Sequence, residues 1–289
     1  MNEFELINRI TEILGETTQG DGVLIGPGDD AAVVTIPEGY DLVITTDTLV
    51  VGRHFPVNAS GDLVGYRSIG VNLSDLAAMG AEAKYCLVSL TMPEVDELWV
   101  DAFARGILRA ASRFRVAIVG GNLSRGPLSI SVAAHGIVPS RGALLRSGAQ
   151  PGNRIFVSGQ LGSGHAALAA NEQRFYMVEP RLDLGVALRG IATSAIDISD
   201  GLVADLGHIC EASGVGARLL ADSLPVAGGI ERKQVLSCGD DYELLFTASE
   251  KPDVDEPITD IGQIVEGSGV TVVSDASLPS NVGTGYRHF

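Results

Sequence analysis

Several kinds of segment are missing from this sequence of 289 residues. No apolar run approaches the roughly 18 residues that a transmembrane helix needs. Residues 1–14 carry acids instead of a basic region followed by an apolar one, so we expect no signal peptide. Cys86, Cys210 and Cys238 have no CxxC spacing, which favours reduced thiols and a cytoplasmic protein.

The lysine-containing loop by which many enzymes hold nucleotide phosphates is also absent. Only Lys84, Lys233 and Lys251 are lysines, and none follows a glycine, so there is no GxxxxGK loop. The HRD and DFG motifs of protein kinases and the GxSxG motif of serine hydrolases are missing too. No HExxH motif or Cys/His cluster predicts zinc. If the protein uses ATP, then metals, backbone amides and arginines must hold the phosphates.

Positive charge is scarce, because 20 Lys and Arg stand against 36 Asp and Glu, a formal net charge of −16. Nucleic acid is a polyanion and needs a basic face, so this balance argues against a nucleic-acid-binding protein. Solubility is the simple explanation of an acidic composition. Many of the acids, however, lie in short clusters at the ends of apolar runs, where solubility would not specially place them.

The order of helical and strand-like patterns predicts an α+β protein with two domains. Helices are predicted over residues 4–14, 63–79 and 95–114 and after 159–164, and strands over 31–36, 42–46, 85–91, 116–119, 128–138, 154–158, 195–198, 242–247 and 270–273. The pattern gives way to a Gly- and Arg-containing stretch around 140–153. We therefore predict an N-terminal domain over 1–142 and a C-terminal α/β domain over 143–289.

Five short motifs place carboxylates where an apolar strand or helix begins or ends. They are GDDAA at 28–32, TTDT at 45–48, NLSD at 72–75, DISDG at 197–201 and GDDYE at 239–243. Converging carboxylates repel one another unless cations neutralise them. Hard oxygen ligands suit Mg²⁺, which shares its remaining positions with phosphate oxygens. The combination therefore indicates metal-assisted phosphoryl transfer.

Each motif taken alone has a simpler explanation. Asp75 and Asp200 could be helix N-caps, and Asp29 or Asp240 could be turn residues. The pair Asp197 and Asp200 could lie on one helical turn, or could be a strand residue followed by a cap.

Three other features carry less weight. The segment Gly159–Gly164 resembles a dinucleotide loop only loosely, and close strand-to-helix packing is the favoured interpretation. His208 falls inside a predicted helix and is interpreted as a packing residue. His54 closely follows the Thr-Thr-Asp motif and remains a candidate for function.

With these motifs in this order, the sequence resembles the thiamine-monophosphate kinase family, within the wider group that includes aminoimidazole ribonucleotide synthetase, selenophosphate synthetase and a hydrogenase-maturation factor. The resemblance covers nearly the whole chain. It rests on GDDAA at 28–32, TTDTLVVGRHF at 45–55, NLSDLAAMGA at 72–81, GGN at 120–122, LLRSGAQPGN at 144–153, DISDGL at 197–202, GDDYELLF at 239–246 and GYRHF at 285–289.

The resemblance implies a homodimer in which two N-terminal domains share a β-barrel, with ATP and several Mg²⁺ ions in a cleft that the C-terminal domain completes. It implies metal binding by Asp30, Thr45, Thr46, Asp47, Asp75, Asn122, Asp197 and Asp200, with Asp47, Asp75 and Asp197 as the catalytic residues. ATP would contact Gly121, Asn122, Arg146 and Ser199. Thiamine monophosphate would contact His54, Asp240 and Tyr286.

Two positions depart from the family pattern. Asn122 stands where many relatives carry Asp in GGD, and Asp240 stands where GEDYEL is common. Asn offers one neutral oxygen in place of a carboxylate, which weakens a metal contact. Asp240 is one methylene shorter than Glu, which affects the predicted substrate contact.

The resulting hypothesis is thiamine-monophosphate kinase activity, with direct in-line transfer from ATP to thiamine monophosphate and thiamine diphosphate as the product. The acceptor oxygen is anionic at neutral pH, so no general base is required. Two alternatives stay open: an enzyme of the same fold with another acceptor, and a silent nucleotide-binding paralogue suggested by Asn122.

Overall fold

The computed structural model describes residues 3–274, and within them the chain divides into two compact units. Unit 1 comprises residues 3–76, 81–141 and 176–178. Unit 2 comprises residues 77–80, 142–175 and 179–274. Both units combine helices with a β-sheet. Within the described range, no helix is long and apolar enough to cross a membrane.

Unit 1 carries a four-stranded sheet and three long helices. Its elements are α1 (Glu3–Leu14), β1 (Val23–Ile25), β2 (Val33–Val34), β3 (Tyr40–Val50), α2 (Gly61–Ala78), β4 (Glu82–Met92), α3 (Glu97–Phe114), β5 (Ala117–Arg125) and β6 (Ser129–Pro139). The last residues of α2 belong to unit 2. The sheet has the order β3-β6-β4-β5, with β3 and β4 antiparallel to β6 and β5 parallel to β4.

Helices α2 and α3 pack so closely that their backbones touch at glycines. A Cβ at Gly106 would lie 2.1 Å from the carbonyl oxygen of Asp62, and one at Gly65 would lie 2.3 Å from that of Phe103. Asp96 starts α3 by accepting hydrogen bonds from the backbone N–H groups of Leu98 and Trp99. Because α2 is buried along nearly its whole length, it holds its polar residues at fixed positions beside the sheet.

Unit 2 is built around a six-stranded mixed sheet. Its elements are β7 (Arg154–Ser158), α4 (Ser163–Ala169), α5 (Leu182–Ala187), β8 (Ser194–Asp197), α6 (Leu202–Ser213), β9 (Gly216–Leu220), α7 (Arg232–Val235), β10 (Leu244–Ala248), β11 (Ile258–Val265) and β12 (Gly269–Val273). The strand order is β12-β9-β11-β7-β10-β8. Alternation along β7 sends Ile155 and Val157 into one apolar core and Phe156 into another, so both faces are covered.

The coarse fold prediction is confirmed, since both units mix helices and strands, but several boundaries were wrong. The strand predicted at 31–36 is only Val33–Val34, and β5 continues through Gly120 and Gly121 to Arg125. Strands β1, β9 and β11 were missed because each is short or interrupted by glycine or charged residues. Neither sheet closes into a barrel within residues 3–274, so the shared dimeric barrel stays a prediction.

Candidate active site

The first group of predicted site residues lies in unit 1, where α2 faces β3. The hydroxyl of Thr45 donates a hydrogen bond of 2.6 Å to Asp75 Oδ2. The backbone N–H of Asp47 donates to Asn72 Oδ1 at 2.8 Å, and Asn72 Nδ2 donates to the carbonyl of Ser68. Positions 68, 72 and 75 share one face of the helix, which is why they meet the strand together. Asp75 therefore lies inside α2, and its interpretation as an N-cap is wrong.

The pairing of the strands divides the predicted metal ligands between the two faces of this sheet. One lateral row contains Asp47, Val132, Val88 and Gly121, and the next contains Thr48, Ser131, Ser89 and Asn122. Successive residues point to opposite faces, so the side chains of Thr46 and Asn122 lie on the face opposite that of Asp47. The two edge strands β3 and β5 are also three spacings apart, roughly 14 Å at about 4.8 Å each. Within this copy of the chain, the sheet does not bring Asn122 to Asp47.

Gly121 is required by close packing of β5 on β4. A Cβ at this position would lie 1.9 Å from the carbonyl oxygen of Val88. The glycine pair of the GGN motif is therefore part of β5, which extends beyond the strand predicted over 116–119.

His54 and Asp30 occupy loops next to strands of unit 1. His54 Nδ1 accepts a hydrogen bond of 3.0 Å from the backbone N–H of Val50. In the neutral imidazole this contact places the hydrogen on Nε2, which suits donation to a phosphate oxygen. Asp30 lies in the exposed loop between β1 and β2, where its backbone N–H donates to Asp29 Oδ1 at 2.8 Å. Asp29 is therefore a turn residue, which was the simpler of its two interpretations.

The second group of predicted site residues lies in unit 2, at the end of β8. Asp197 is the last residue of this strand and is buried, whereas Asp200 lies in the short loop before α6. Gly201 is the N-cap of α6 and makes no side-chain cap. The two acids are therefore a strand residue and a loop residue, and the interpretation of Asp200 as an N-cap is wrong.

Asp205, which the sequence analysis did not single out, holds this loop in place. Its carboxylate accepts hydrogen bonds from the backbone N–H groups of Asp200 (3.2 Å) and Gly201 (3.0 Å). Burial raises the pKa of Asp205 to about 7, the amide of Gly201 lowers it, and the charge of Asp200 raises it further. A sequence signal could have identified Asp205: it is an acid four residues after the glycine that begins the helix. At this spacing its carboxylate can reach the backbone N–H groups at the helix start, which have no partner within the helix.

The GDDYE motif is joined to this loop through the backbone. The N–H of Asp240 donates to the carbonyl of Ser199 at 2.9 Å, and that of Tyr242 donates to Ile198 at 2.8 Å. A Cβ on Gly239 would lie 2.0 Å from the Ser199 oxygen. The structure therefore places Asp240 beside Ser199, and the Tyr242 hydroxyl hydrogen-bonds to Asp240 Oδ1 at 3.0 Å.

Asp241 occupies the glycine-rich turn at 159–164. Its carboxylate accepts hydrogen bonds from the N–H of Gly162 at 2.8 Å and from that of Gly164 at 3.4 Å. Burial raises the pKa of Asp241 to about 7, although these amides oppose the shift. A Cβ on Gly164 would lie 2.1 Å from the carbonyl oxygen of Asp240. A protein carboxylate already takes these amides, and the glycine allows close packing. The contact is with the segment 239–243 and not the predicted one between a strand and a helix.

Glu243 anchors the other end of the same motif in a buried polar network. It forms a two-pronged ion pair with Arg181, with Nε–Oε2 and Nη2–Oε1 distances of 2.7 and 2.6 Å. The hydroxyl of Ser158 donates to the same carboxylate at 2.5 Å and accepts from the N–H of Leu244 at 2.9 Å. Glu256 lies 3.7 Å from the Arg181 guanidinium. The network fixes the point at which the motif enters β10.

Three predicted residues remain apart from these groups or cannot be placed. Arg146 is exposed, and its carbonyl accepts a hydrogen bond from the Ser213 hydroxyl. Its neighbour Leu145 bonds to Ala195, so Arg146 lies near the beginning of β8 and not near Asp197 at its end. Tyr286 lies outside the described residues. His208 is exposed on α6, so its interpretation as a packing residue is wrong.

The donor sets of the two units can be compared with what Mg²⁺ requires. Unit 1 offers the hydroxyl of Thr45 and the carboxylates of Asp47 and Asp75, all of them hard oxygen donors. Unit 2 offers Asp197 and Asp200 at the end of a strand. Both sets fit magnesium chemistry.

Comparison with known proteins identifies the family of the chain. Residues 28–138 match the N-terminal domain of the AIR synthase related proteins, which gives the class of the fold. The thiamine-monophosphate kinase of Salmonella typhimurium is 39% identical over 99% of this chain and 98% of its own length. The chain belongs to the thiamine-monophosphate kinase family, and it is therefore a phosphotransferase.

Two solved structures extend the comparison to the fold. The thiamine-monophosphate kinase of Stenotrophomonas maltophilia has a TM-score of 0.84 and 40% identity, with 94% of this chain and 96% of that chain covered. AaThiL complexed with AMPPCP and TMP has a TM-score of 0.78 and 31% identity, with 99% and 97% covered.

Proposed function

We propose that the protein transfers the γ-phosphoryl group of ATP to thiamine monophosphate, giving ADP and thiamine diphosphate. The observation that carries the proposal is the nearly full-length match to thiamine-monophosphate kinases, one of them solved with AMPPCP and TMP. The acidic groups on β3, on α2 and after β8 support it, because they offer oxygen donors at rigid positions.

The proposed metal ligands are oxygen donors from both units: Asp30, Thr45, Asp47, Asp75, Asp197 and Asp200, with Asp47, Asp75 and Asp197 as the catalytic residues. Thr46 is left out of this set, because its side chain lies on the opposite face of the sheet and its hydroxyl donates to the carbonyl of Val132. Bound Mg²⁺ would neutralise the charge of the phosphates that approach each other. The protein itself must orient the two substrates, because the acceptor oxygen is already anionic and needs no general base.

The remaining roles follow from the chemistry of each side chain. His54 would donate its Nε2 hydrogen to the phosphate of thiamine monophosphate, since Nδ1 is already engaged with Val50. Asp240, held by Ser199 and Tyr242, and Tyr286 would contact the thiamine moiety. Gly121, Asn122, Arg146 and Ser199 would contact ATP.

A homodimer is part of the proposal. The face of the unit 1 sheet that bears Leu42, Ile44 and Leu87 is exposed, with 41%, 62% and 36% of these side chains accessible. An exposed row of large apolar side chains on a sheet is typical of a protein interface. A second copy packed against this face would cover it and form the shared barrel.

Chromatographic separation of the products tests the proposed reaction. Purified protein is incubated with ATP, Mg²⁺ and thiamine monophosphate, with a matched reaction in chelator. Metal-dependent formation of thiamine diphosphate and ADP in equal amounts is the expected result. ATP binding without thiamine diphosphate would instead support another acceptor or a silent paralogue.

The silent alternative rests on Asn122, and its position weighs against that alternative. Asn122 lies on β5, across the sheet from Asp47, and its amide donates to Ser124 at 2.9 Å. The missing carboxylate therefore does not remove a partner of Asp47 or Asp75 within this copy of the chain. Asn122→Asp is the variant that would reveal any effect of this departure on metal dependence.

A further inference from the structure

A mixed group of metal-binding side chains lies at the start of α6. Ligand atoms of Asp200, Asp205 and His208 lie within 4.8 Å of one another. Across residues 3–274, this is the one group of three or more His, Cys, Asp or Glu side chains with ligand atoms so close together. Asp205 and His208 are three residues apart on one helix, so their side chains lie on the same side of it.

The three residues differ in exposure, from a buried carboxylate at the bottom of the site to an exposed imidazole at its opening. Asp205 has only 2% of its surface exposed, Asp200 is half-buried and His208 is exposed. The amides of Asp200 and Gly201 fix the carboxylate of Asp205 at the base. A carboxylate has about four lone-pair positions, so these bonds leave room for a further contact.

The donor set differs from those proposed for magnesium because it contains an imidazole. Mg²⁺ takes oxygen ligands almost exclusively, whereas imidazole nitrogen favours Co²⁺, Ni²⁺, Cu²⁺ and Zn²⁺. Acidic groups alone would indicate little, since they often gather at surfaces without a metal. One imidazole and two carboxylates, one of them buried and already oriented, offer the nitrogen and oxygen donors that transition metals accept.

We propose that Asp200, Asp205 and His208 bind a divalent transition-metal ion. Two ligand atoms bound to one such ion at about 2.1 Å are at most about 4.2 Å apart. His208 is exposed, so its side chain can change rotamer to approach the ion without movement of the helix. Asp200 is also a proposed magnesium ligand, so occupation of the site would compete for it. That competition rests on the proposed function, whereas the binding itself does not.

Calorimetric titration with Co²⁺ tests the site directly. The protein is titrated without Mg²⁺, which would compete for Asp200, and no nucleotide or thiamine monophosphate is present. Sites with only oxygen donors should bind Co²⁺ more weakly than a site that contains an imidazole. The wild-type protein is expected to show one tight class of Co²⁺ binding. His208→Ala is expected to weaken that class about tenfold or more, since even outer-shell changes cost about 10–100-fold in metal affinity.

Two variants serve as matched controls. His165→Ala removes another exposed histidine of unit 2, and Cys238→Ser removes the partly exposed thiol. Both should bind Co²⁺ like the wild type, and circular dichroism should show the same fold for all variants. The proposal is overturned if the wild type shows no tight class, if His208→Ala retains it, or if either control loses it. Because no substrate is present, failure here is distinct from failure of the kinase assay.

Discussion

Removing the guanidinium of Arg181 should destabilise unit 2 far more than removing an exposed arginine. Arg181→Ala leaves the Glu243 carboxylate, with 7% of its side chain exposed, without its two-pronged partner. Breaking a buried ion pair from one side costs about 3–5 kcal/mol. Because 31% of the Arg181 side chain is exposed and water can enter, we expect about 3 kcal/mol, the lower end of that range.

The loss should appear as a lower midpoint in thermal unfolding followed by far-UV circular dichroism. For a unit of this size, about 3 kcal/mol corresponds to a fall of roughly 6–12 °C in Tm. Arg181→Lys keeps the charge but loses the paired geometry, so its Tm should fall by an intermediate amount.

Arg232→Ala is the matched control for this experiment. Arg232 pairs with Asp222 at 3.0 Å, but 45% and 42% of the two side chains are exposed. Such a pair contributes about 0–1 kcal/mol. If Arg181→Ala shifted Tm no more than Arg232→Ala does, the inference that the Glu243 network is a stabilising anchor would be refuted.

Three further predictions concern catalysis, pH and assembly. Asp47→Asn should lower kcat by roughly 10²-fold or more with the circular dichroism spectrum unchanged, because it removes charge where polyanions meet; undiminished turnover would remove Asp47 from the proposed site. The metal-free protein should lose stability as pH rises from about 4 through about 7, because Asp205 and Asp241 have pKa values raised to about 7 and bind more protons folded than unfolded. In the variant that carries both Asp205→Asn and Asp241→Asn, the free energy of unfolding from denaturant titrations should fall less steeply with pH. An unchanged dependence on pH would contradict this cause. Ile44→Glu should convert a dimer to a monomer in light scattering, while Leu98→Glu, at a residue that is even more exposed but lies on α3, should not; a dimer that survives Ile44→Glu would mean another interface.

Periodicity and turn chemistry predicted the long elements well, for reasons visible in single residues. The apolar spacing of Phe4 to Leu14 appears as α1, and the strand predicted over 154–158 appears as β7 with the same bounds. The prediction failed where pairing overrides local preference. The strand predicted over 116–119 ends before Gly120 and Gly121, yet β5 continues through them because β4 offers a parallel partner at close range.

The sequence singled out candidate site residues but did not show their contacts with one another. The motifs singled out Asp47, Asp75 and Asp197, and the structure shows how Asn72 and Thr45 connect two of them. Nothing in the spacing told which face of a strand each side chain takes, so Asn122 was grouped with Asp47. A sequence motif does not give the register in which strands pair, and that register decides which face of the sheet a side chain takes.

The two acidic motifs of unit 2 are organised chiefly through their backbones. The segment 239–243 runs beside 198–199, and the amides of Asp240 and Tyr242 bond to the carbonyls of Ser199 and Ile198. Such close approach needs glycine at 239, which is why glycine and aspartate occur together in the motif. Because backbone bonds and the buried carboxylates of Asp205 and Asp241 fix the loops, the side chains of Asp200 and Asp240 need no packing of their own to stay in place. Loops held rigidly in this way are what an oxygen-rich site for phosphate and metal requires.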